Sequence, residues 1–221
     1  MPAKIIVFCT PKGGAGKTTI AINVAATLKG NVLLLDADPQ QSALKWADAA
    51  PEDTPLPMAV MGYTGSKIHR EIKKVVDSYE FILVDTPPSA LAVSTVTRSA
   101  LLGANLAIIP VIPSPLDIWE AAKIADLMSE INEIRESGEV DPLQARLLVN
   151  RLKSRTTFGT EIKDALKNIG VPVLKTVIHE REAHKHAALD GCSVHQVRGA
   201  GGKSASEEIQ QLTKELSRIV R

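Results

Sequence analysis

Short apolar runs alternate with amphipathic stretches along the whole chain. The apolar runs cover residues 5–9, 32–35, 58–61, 81–84, 106–109, 146–149 and 173–178. Runs of this length predict buried strands, whereas apolar residues spaced three or four apart predict helices over residues 19–28, 40–50, 66–79, 117–135, 157–168 and 204–220. The alternation predicts an α/β fold with an open, mostly parallel twisted β-sheet flanked by helices.

No linker, internal repeat or low-complexity tract divides the 221 residues, so we predict a single domain over residues 1–221. A chain of this length can bury a substantial core. The longest apolar stretch, residues 101–111, is interrupted by polar and helix-breaking residues and is too short to span a membrane. Cys9 and Cys192 form no C-x-x-C pair, and the N-terminus lacks a secretory signal pattern. We therefore expect a cytoplasmic protein with reduced thiols.

The segment between the first predicted strand and the first predicted helix is rich in glycine. It reads Pro-Lys-Gly-Gly-Ala-Gly-Lys-Thr-Thr over residues 11–19. In this position glycines let consecutive backbone N–H groups turn toward a phosphate, and the helix N-terminus adds its positive end. Lys17 can then contact the β- and γ-phosphates, and the Thr18 hydroxyl can bind Mg²⁺. The predicted nucleotide contacts are Gly13, Gly14, Ala15, Gly16, Lys17, Thr18 and Thr19.

This loop departs from the common phosphate-loop pattern G-x-x-x-x-G-K-[ST]. Pro11 stands where the pattern has its first glycine, and Lys12 adds a second lysine. With Lys12, the loop resembles the deviant Walker A sequence, K-G-G-x-G-K-[ST]-[ST], of the ParA/MinD family of P-loop ATPases. The small size most resembles the short ParA proteins, such as the ParF group on plasmids. The resemblance implies a fold and a function for the whole chain.

Family membership implies ATP and Mg²⁺ as cofactors and a sandwich homodimer that forms on ATP binding. It also implies slow ATP hydrolysis that is stimulated by a small ParB-like or cargo-adaptor protein. In the family the signature lysine, here Lys12, reaches the nucleotide of the other subunit and neutralises charge as an arginine finger does. A local contact of Lys12 with its own loop is the simpler alternative.

Acidic residues follow two of the predicted strands. Because ligands of open α/β sheets bind at the carboxyl ends of the strands, these residues should share one site with the glycine-rich loop. Asp85 has the form of a Walker B acid that holds Mg²⁺, often through water. The segment Asp36-Ala37-Asp38-Pro39-Gln40 resembles the second acidic motif of the family, which implies that Asp38 positions the attacking water and Asp36 lies near Mg²⁺. The predicted catalytic residues are Lys12, Lys17 and Asp38, and the predicted metal ligands are Thr18, Asp36 and Asp85.

Two further residues are candidates for the nucleotide base. Asn150 follows the run 146–149, and its amide matches the N6/N7 edge of adenine, although asparagine at a strand end is as often a turn residue. Pro113 lies in the loop 110–117, which resembles the proline-rich segment that the family places beside adenine and at the dimer interface.

Charge is distributed unevenly along a chain whose net charge is only +1. Residues 1–144 carry 12 basic and 17 acidic residues, whereas residues 145–221 carry 14 basic and 8 acidic residues. A basic C-terminal third predicts a face for a polyanion, with a scattered solvated surface as an equal alternative. The segment 199–204 resembles the Lys-Ser segment that many ParA proteins use to bind non-specific DNA. The candidate DNA contacts are Arg198, Lys203, Arg218 and Arg221, with Arg151, Lys153 and Arg155 as further candidates.

The predicted function is that of an ATP-dependent DNA-partition or cargo-positioning ATPase. The ATP-bound dimer would bind DNA non-specifically, associate with the nucleoid and be released by partner-stimulated hydrolysis. One alternative is a MinD-like ATPase that cycles on a membrane, but residues 204–220 carry three glutamates and no aromatic residue, so no membrane contact is expected. Another alternative is a metabolic ATP-dependent ligase or synthetase on the same fold, which would need a substrate pocket of its own.

Two motifs are not interpreted as sites. His179 and His184 are five residues apart, which turns them about 140° from each other on a helix and disfavours shared metal binding. Cys9 lies in the first predicted strand and is expected to be a small core residue.

Overall fold

The computed structural model describes residues 2–88, 94–153 and 164–220. The strands are β1 (Lys4–Phe8), β2 (Val32–Asp36), β3 (Ala59–Gly62), β4 (Phe81–Asp85), β5 (Leu106–Val111) and β6 (Gln144–Val149). They form one sheet in the order β3-β2-β4-β1-β5-β6, and every neighbouring pair is parallel. The predicted α/β fold with a parallel sheet is therefore confirmed.

Helices cover both faces of this sheet. Their bounds are α1 (Lys17–Ala25), α2 (Ser42–Asp48), α3 (Ile68–Val75), α4 (Thr95–Leu102), α5 (Pro115–Ser137), α6 (Glu182–Leu189) and α7 (Ala200–Ile219). One buried cluster joins the sheet to α3, α4 and α5, and a second joins it to α1, α2, α6 and α7. Because both faces are covered, the central strands are apolar on both sides, which is why they appear in the sequence as continuous apolar runs.

The predicted strand over residues 173–178 is wrong. Its backbone makes only isolated bridges, from Val173 to Leu147 and from His179 to Leu152. The side chain of Glu215 on α7 accepts the N–H groups of Lys175 and Thr176, at 2.8 and 3.0 Å. The N–H groups of Leu174 and Ile178 donate to β6, but that of Thr176, between them, is engaged by Glu215, so the segment covers the edge of β6 without joining the sheet as a continuous strand.

Several helix boundaries differ from the predictions. α5 begins at Pro115, because Ser114 is the N-cap and accepts the N–H of Asp117, so Asp117 lies inside the first turn rather than at the cap. α7 begins at residue 200, four residues earlier than predicted. α4 was not predicted at all, although Ser94 caps it by accepting the N–H of Thr97. Most of the predicted helix 157–168 lies outside the described residues, and residues 164–167 are helical.

α7 packs on the sheet with its apolar side. Ile209, Leu212 and Leu216 are fully buried against the core. That side is therefore not exposed to solvent or to a lipid surface. Among the described residues, no helix combines the length and the apolar character needed to cross a bilayer.

Candidate nucleotide-binding site

The parallel sheet brings several predicted site residues to one edge. The glycine-rich loop follows β1, Asp36 ends β2 and Asp85 ends β4, with Asp36 and Asp85 directly paired in the β2–β4 register. Asn150 follows β6. Beside these strand ends lies a cavity of about 590 Å³, a volume within the usual range for small-molecule sites. Its lining includes Gly14, Gly16, Lys17, Thr18, Thr19, Asp38, Asn150, Arg151, His184 and Trp46.

The glycine-rich loop has the backbone conformation of an anion-binding loop. Gly14 and Gly16 have φ angles of 78° and 84°, in the left-handed region that favours glycine. α1 begins directly after Gly16, and no side chain caps its first N–H groups. Loop and helix N–H donors together can therefore bind a phosphate, as the sequence predicts.

Lys17, which lines the cavity, and Asp85 are both buried, and they are close enough for their charges to interact. Burial lowers the pKa of Lys17, and the charge of Asp85 counteracts this. Burial also raises the pKa of Asp85 to about 7, although a hydrogen bond from Thr18 and the charge of Lys17 oppose the shift. The Thr18 hydroxyl donates to Asp85 Oδ2 at 2.5 Å.

One oxygen of Asp85 is unsatisfied. Asp85 Oδ1 is buried and has no hydrogen-bond partner among the described residues. A buried carboxylate oxygen without a partner is energetically costly, and a hydrated Mg²⁺ would satisfy it. The pair Thr18 and Asp85 therefore fits the predicted metal site.

Asp36 is engaged differently from the sequence prediction. Its Oδ1 accepts the N–H of Asp38 at 3.1 Å, and its Oδ2 accepts the N–H groups of Ala43 and Leu44 at 2.8 and 3.2 Å. Ala43 and Leu44 lie in the first turn of α2, where the N-cap residue Gln41 provides no side-chain hydrogen bond. Asp36 thus caps α2 from a neighbouring strand, and three backbone donors already occupy its carboxylate. This geometry fits a positioning role better than direct metal binding.

Asp38 is almost fully buried and lines the cavity together with Lys17 and Thr18. Its Oδ1 accepts the N–H of Gln40 at 2.9 Å, which fixes the carboxylate relative to the turn before α2. Asp38 therefore shares the cavity with the predicted phosphate- and metal-binding side chains, and its predicted role is to orient a water molecule. That role stays a prediction.

The two base candidates are placed differently. Asn150 lines the cavity, but its side-chain Nδ2 donates to the Ala15 carbonyl oxygen at 2.7 Å. One amide hydrogen is thus committed to the glycine-rich loop. Pro113 is half-buried and does not line the cavity, so the structure does not bring it to the nucleotide pocket of its own chain.

Lys12 does not line the cavity and pairs with a buried carboxylate on α5. Its Nζ donates to Asp117 Oδ2 at 3.1 Å, and its side chain is 47% exposed. Asp117 itself is buried and is held by the side chain of Ser114. The two paired residues are 105 positions apart, so the pairing has no local signal in the sequence.

His179 and His184 line the cavity, whereas Cys9 is buried in the core. Burial raises the pKa of Cys9 to about 12, so its thiol stays protonated and is a poor nucleophile at neutral pH. His179 precedes α6 and pairs with Glu208, whereas His184 lies within α6, and its buried ring nitrogens have no hydrogen-bond partner among the described residues. Among residues 2–88, 94–153 and 164–220, no group of three or more His, Cys, Asp or Glu side chains is arranged to hold a metal ion.

The candidate DNA contacts lie on and before α7. Arg198, Lys203 and Arg218 are exposed, as is Lys214, whereas Arg221 and Arg155 lie outside the described residues. Two of the three glutamates of α7 face the protein, because Glu208 accepts the His179 N–H and Glu215 accepts those of Lys175 and Thr176. Glu207 is the remaining glutamate and is exposed. The outer side of α7 is therefore more basic than its sequence suggests.

Comparison with known proteins identifies the family. Residues 6–194 match the model of the CobQ/CobB/MinD/ParA nucleotide binding domain. The chain is 32% identical over 208 residues to the maintenance of carboxysome distribution protein A of Halothiobacillus neapolitanus, covering 93% of this chain and 92% of that protein. It is 30% identical over 210 residues to the protein ParA of Rhizobium radiobacter, covering 91% of this chain and 90% of that protein.

Solved structures show the same fold. An ATP complex of McdA from Cyanothece superposes with a TM-score of 0.77 at 16% identity, covering 97% of this chain and 96% of that chain. This match confirms the fold, and the family model and the two relatives show the family, while the closer resemblance to the ParF group stays a prediction. The chain belongs to the CobQ/CobB/MinD/ParA family of nucleotide-binding proteins.

Proposed function

We propose that this chain is an ATPase that positions a cargo in the cell. ATP binding brings two copies together, the dimer binds DNA non-specifically on the nucleoid, and hydrolysis stimulated by a small ParB-like or cargo-adaptor protein releases it. The observation that carries the proposal is the position of Lys12, whose half-exposed side chain lies outside the cavity of its own chain and pairs with Asp117. The named relatives, a carboxysome distribution protein and a ParA protein, support a positioning role.

ATP and Mg²⁺ are the proposed cofactors. McdA from Cyanothece has been solved with ATP, and MinD from Pyrococcus horikoshii with Mg-ADP. In this chain the loop 13–19 would bind the phosphates, Lys17 would contact the terminal ones, and Thr18 with Asp85 would hold the metal ion. Bound Mg²⁺ would neutralise charge between the β- and γ-phosphates. The free Oδ1 of Asp85 supports this assignment.

Hydrolysis requires an oriented water and charge stabilisation rather than a covalent nucleophile. Asp38 is the proposed water-positioning residue. Asp36 fixes the turn that contains Asp38, because its carboxylate accepts the N–H of Asp38 and that of Ala43 in α2. Lys12 of a second copy would add the missing positive charge. For this contact Lys12 must leave Asp117 of its own chain and bind a phosphate in the other subunit. The ion pair within each chain therefore competes with dimer formation.

The proposed DNA surface is the outer side of α7 with the preceding Arg198. Lys203 and Arg218 lie about 22 Å apart along the helix axis, at 1.5 Å per residue. That span exceeds the distance between neighbouring phosphates many times, so the helix can follow several of them. A face that contacts only phosphates is expected to bind without sequence preference.

The first prediction concerns the charge state of Asp85. Its folded pKa of about 7 exceeds the reference value of 3.8, so the folded, ligand-free chain retains a proton that the unfolded chain has lost. Because of Asp85, the free energy of unfolding therefore falls as pH rises from about 3.8 to about 7. Asp85→Asn cannot ionise and should raise the midpoint of thermal unfolding of the ligand-free protein most at about pH 8, and much less at about pH 5.

The control is Asp48→Asn at the exposed end of α2, which should leave the midpoint nearly unchanged at both pH values. Added Mg²⁺ and ATP should stabilise the unmodified chain more than Asp85→Asn. If the unfolding midpoints of Asp85→Asn and the unmodified chain differ by the same amount at both pH values, burial does not hold Asp85 protonated.

Asp38→Ala should retain ATP binding and lose turnover. If Asp38 orients the attacking water, its removal should lower the rate of phosphate release at least about 100-fold. The ATP dissociation constant should change by no more than about threefold, because the loop and Lys17 supply the main phosphate contacts. Asp48→Ala serves as the control, and undiminished phosphate release by Asp38→Ala would assign the water to another residue.

Lys12→Ala should abolish ATP-dependent dimerisation. The variant should still bind ATP, because Lys12 does not line the cavity, but sedimentation with a non-hydrolysable analogue and Mg²⁺ should give the monomer mass. Lys74→Ala removes a lysine that is paired with Glu71 on α3 and should dimerise normally. A dimer of unchanged affinity in Lys12→Ala would rule out the proposed contact between subunits.

The DNA surface can be tested by reversing its charge. Lys203→Glu combined with Arg218→Glu should weaken binding of the ATP-bound protein to mixed-sequence DNA at least about tenfold. The slope of the logarithm of the binding constant against the logarithm of the salt concentration should fall by about one for each lost contact. Basal turnover should not change. Arg70→Glu combined with Lys73→Glu makes the same charge change on α3, across the sheet, and should have little effect. Unaltered DNA affinity in the α7 variant would place the DNA surface elsewhere.

A further inference from the structure

Two consecutive residues after β6 bind two consecutive carbonyl groups of the glycine-rich loop. Asn150 Nδ2 donates to the Ala15 oxygen at 2.7 Å, and Arg151 Nη1 donates to the Gly14 oxygen at 3.1 Å. The bonded residues are 135 and 137 positions apart in the chain. The glycine-rich loop is therefore held by the end of a distant strand, and both of these side chains line the same cavity as the loop.

The planarity of the peptide bond gives these contacts a direction. In a trans peptide, the C=O of one residue and the N–H of the next point to opposite sides. A donor on the Gly14 oxygen therefore orients the Ala15 N–H away from Arg151, and a donor on the Ala15 oxygen orients the Gly16 N–H away from Asn150. Both N–H groups are then held in one orientation and stay available to a phosphate.

We propose that Asn150 and Arg151 are positioning residues that hold the loop in its phosphate-binding conformation before the nucleotide arrives. Converging N–H groups repel one another when no anion is present, so an empty loop needs external support to keep this shape. Donors fixed in advance cost no reorganisation when the ligand binds. The inference rests on nucleotide binding alone and is independent of dimerisation and of DNA.

The fit around Gly16 supports this role for Asn150. A Cβ atom at position 16 would lie 2.5 Å from Asn150 Nδ2, so the close approach requires glycine in addition to the positive φ. Asn150 is nearly fully buried, and its own N–H donates to the Val111 oxygen at 2.9 Å. Its backbone is thus fixed to β5 while its side chain reaches the loop.

The backbone at Arg151 explains how neighbouring side chains reach the same loop. On a strand, successive side chains point to opposite faces. Arg151 has a φ of 55°, in the left-handed region, which ends the alternation directly after Asn150. Arg151 Nη2 also donates to Glu180 Oε1 at 2.9 Å, which orients the guanidinium group toward Gly14.

The inference differs from the sequence-based interpretation of Asn150 as an adenine contact, and the two roles predict different ligand dependence. A base contact matters only for ligands with a base and should discriminate between bases. A residue that shapes the loop matters for every ligand with a phosphate chain. Inorganic tripolyphosphate has the chain without the base and is therefore the decisive probe.

The test measures the affinities of ATP, GTP and inorganic tripolyphosphate with excess Mg²⁺, by competition against a fluorescent ATP analogue. Asn150→Leu is close in size and cannot donate a hydrogen bond, and it should weaken all three ligands by a similar factor of about ten, equivalent to about 1.4 kcal/mol. The ratio of ATP to GTP affinity should stay constant. Asn168→Leu makes the same exchange at an exposed position and should leave all three affinities unchanged.

Arg151 provides an independent variant at a half-exposed position that should fold normally. Arg151→Ala should weaken the three ligands equally, by about two- to fivefold, and Arg151→Lys should recover most of the loss because it retains a donor. A changed ATP to GTP ratio with unchanged tripolyphosphate affinity would overturn the inference in favour of base recognition. Unchanged affinities for all three ligands in the folded variants would overturn it as well. Neither result would bear on the DNA and dimer proposals.

Discussion

Four charged side chains are buried together at the carboxyl edge of the sheet, and the site is built around this burial. Lys17, Asp36, Asp38 and Asp85 are all at least nine-tenths buried. Removing an ion from water costs several kcal/mol unless partners replace the lost hydration. The four groups are compensated to different extents, and these differences indicate the parts of the site.

The compensation is complete for some groups and incomplete for others. Asp36 is satisfied by backbone donors from the turn and from α2, and Asp38 accepts the N–H of Gln40. Asp85 is satisfied on one oxygen only, and the first N–H groups of α1 have no side-chain cap. A triphosphate with Mg²⁺ would supply an anion for the uncapped N–H groups of α1 and a cation for Asp85. The ligand therefore completes the compensation, and its binding should stabilise the fold.

Contacts extend from the glycine-rich loop to both layers of helices. On one side, Lys12 pairs with Asp117 of α5, which packs on the α3–α5 face. On the other side, Arg151 joins Gly14 to Glu180, and the neighbouring Arg181 pairs with Glu208 of α7. The loop is thus connected by ion pairs and hydrogen bonds to residues that lie next to the proposed dimer and DNA surfaces.

Elements with local signals can be predicted from the sequence alone. Buried strands, amphipathic helices and the strand–glycine loop–helix order depend on residues within one short segment, so the six-stranded parallel sheet, the place of the glycine-rich loop and the aspartates at the strand ends agree with the predictions. The deviant loop was sufficient to identify the family. A missed helix, α4, had only the cap residue Ser94 as a clear local signal.

The packing of the elements, and not the local pattern, selects the groups that the polar residues contact. Asp36 caps α2, Asn150 and Arg151 bind the loop, and Lys12 is paired with Asp117. In the segment 173–178, the N–H of Thr176 donates to Glu215 on a later helix and not to β6. A hydrogen bond depends on a partner at about 3 Å, and for all of these contacts except that of Asp36 folding brings the partner from a distant part of the chain. The partner of Asp36 is seven positions away, and its place depends on the turn that leads from β2 into α2. Local pattern shows that a polar group needs a partner, and the packing of the elements selects which one it has.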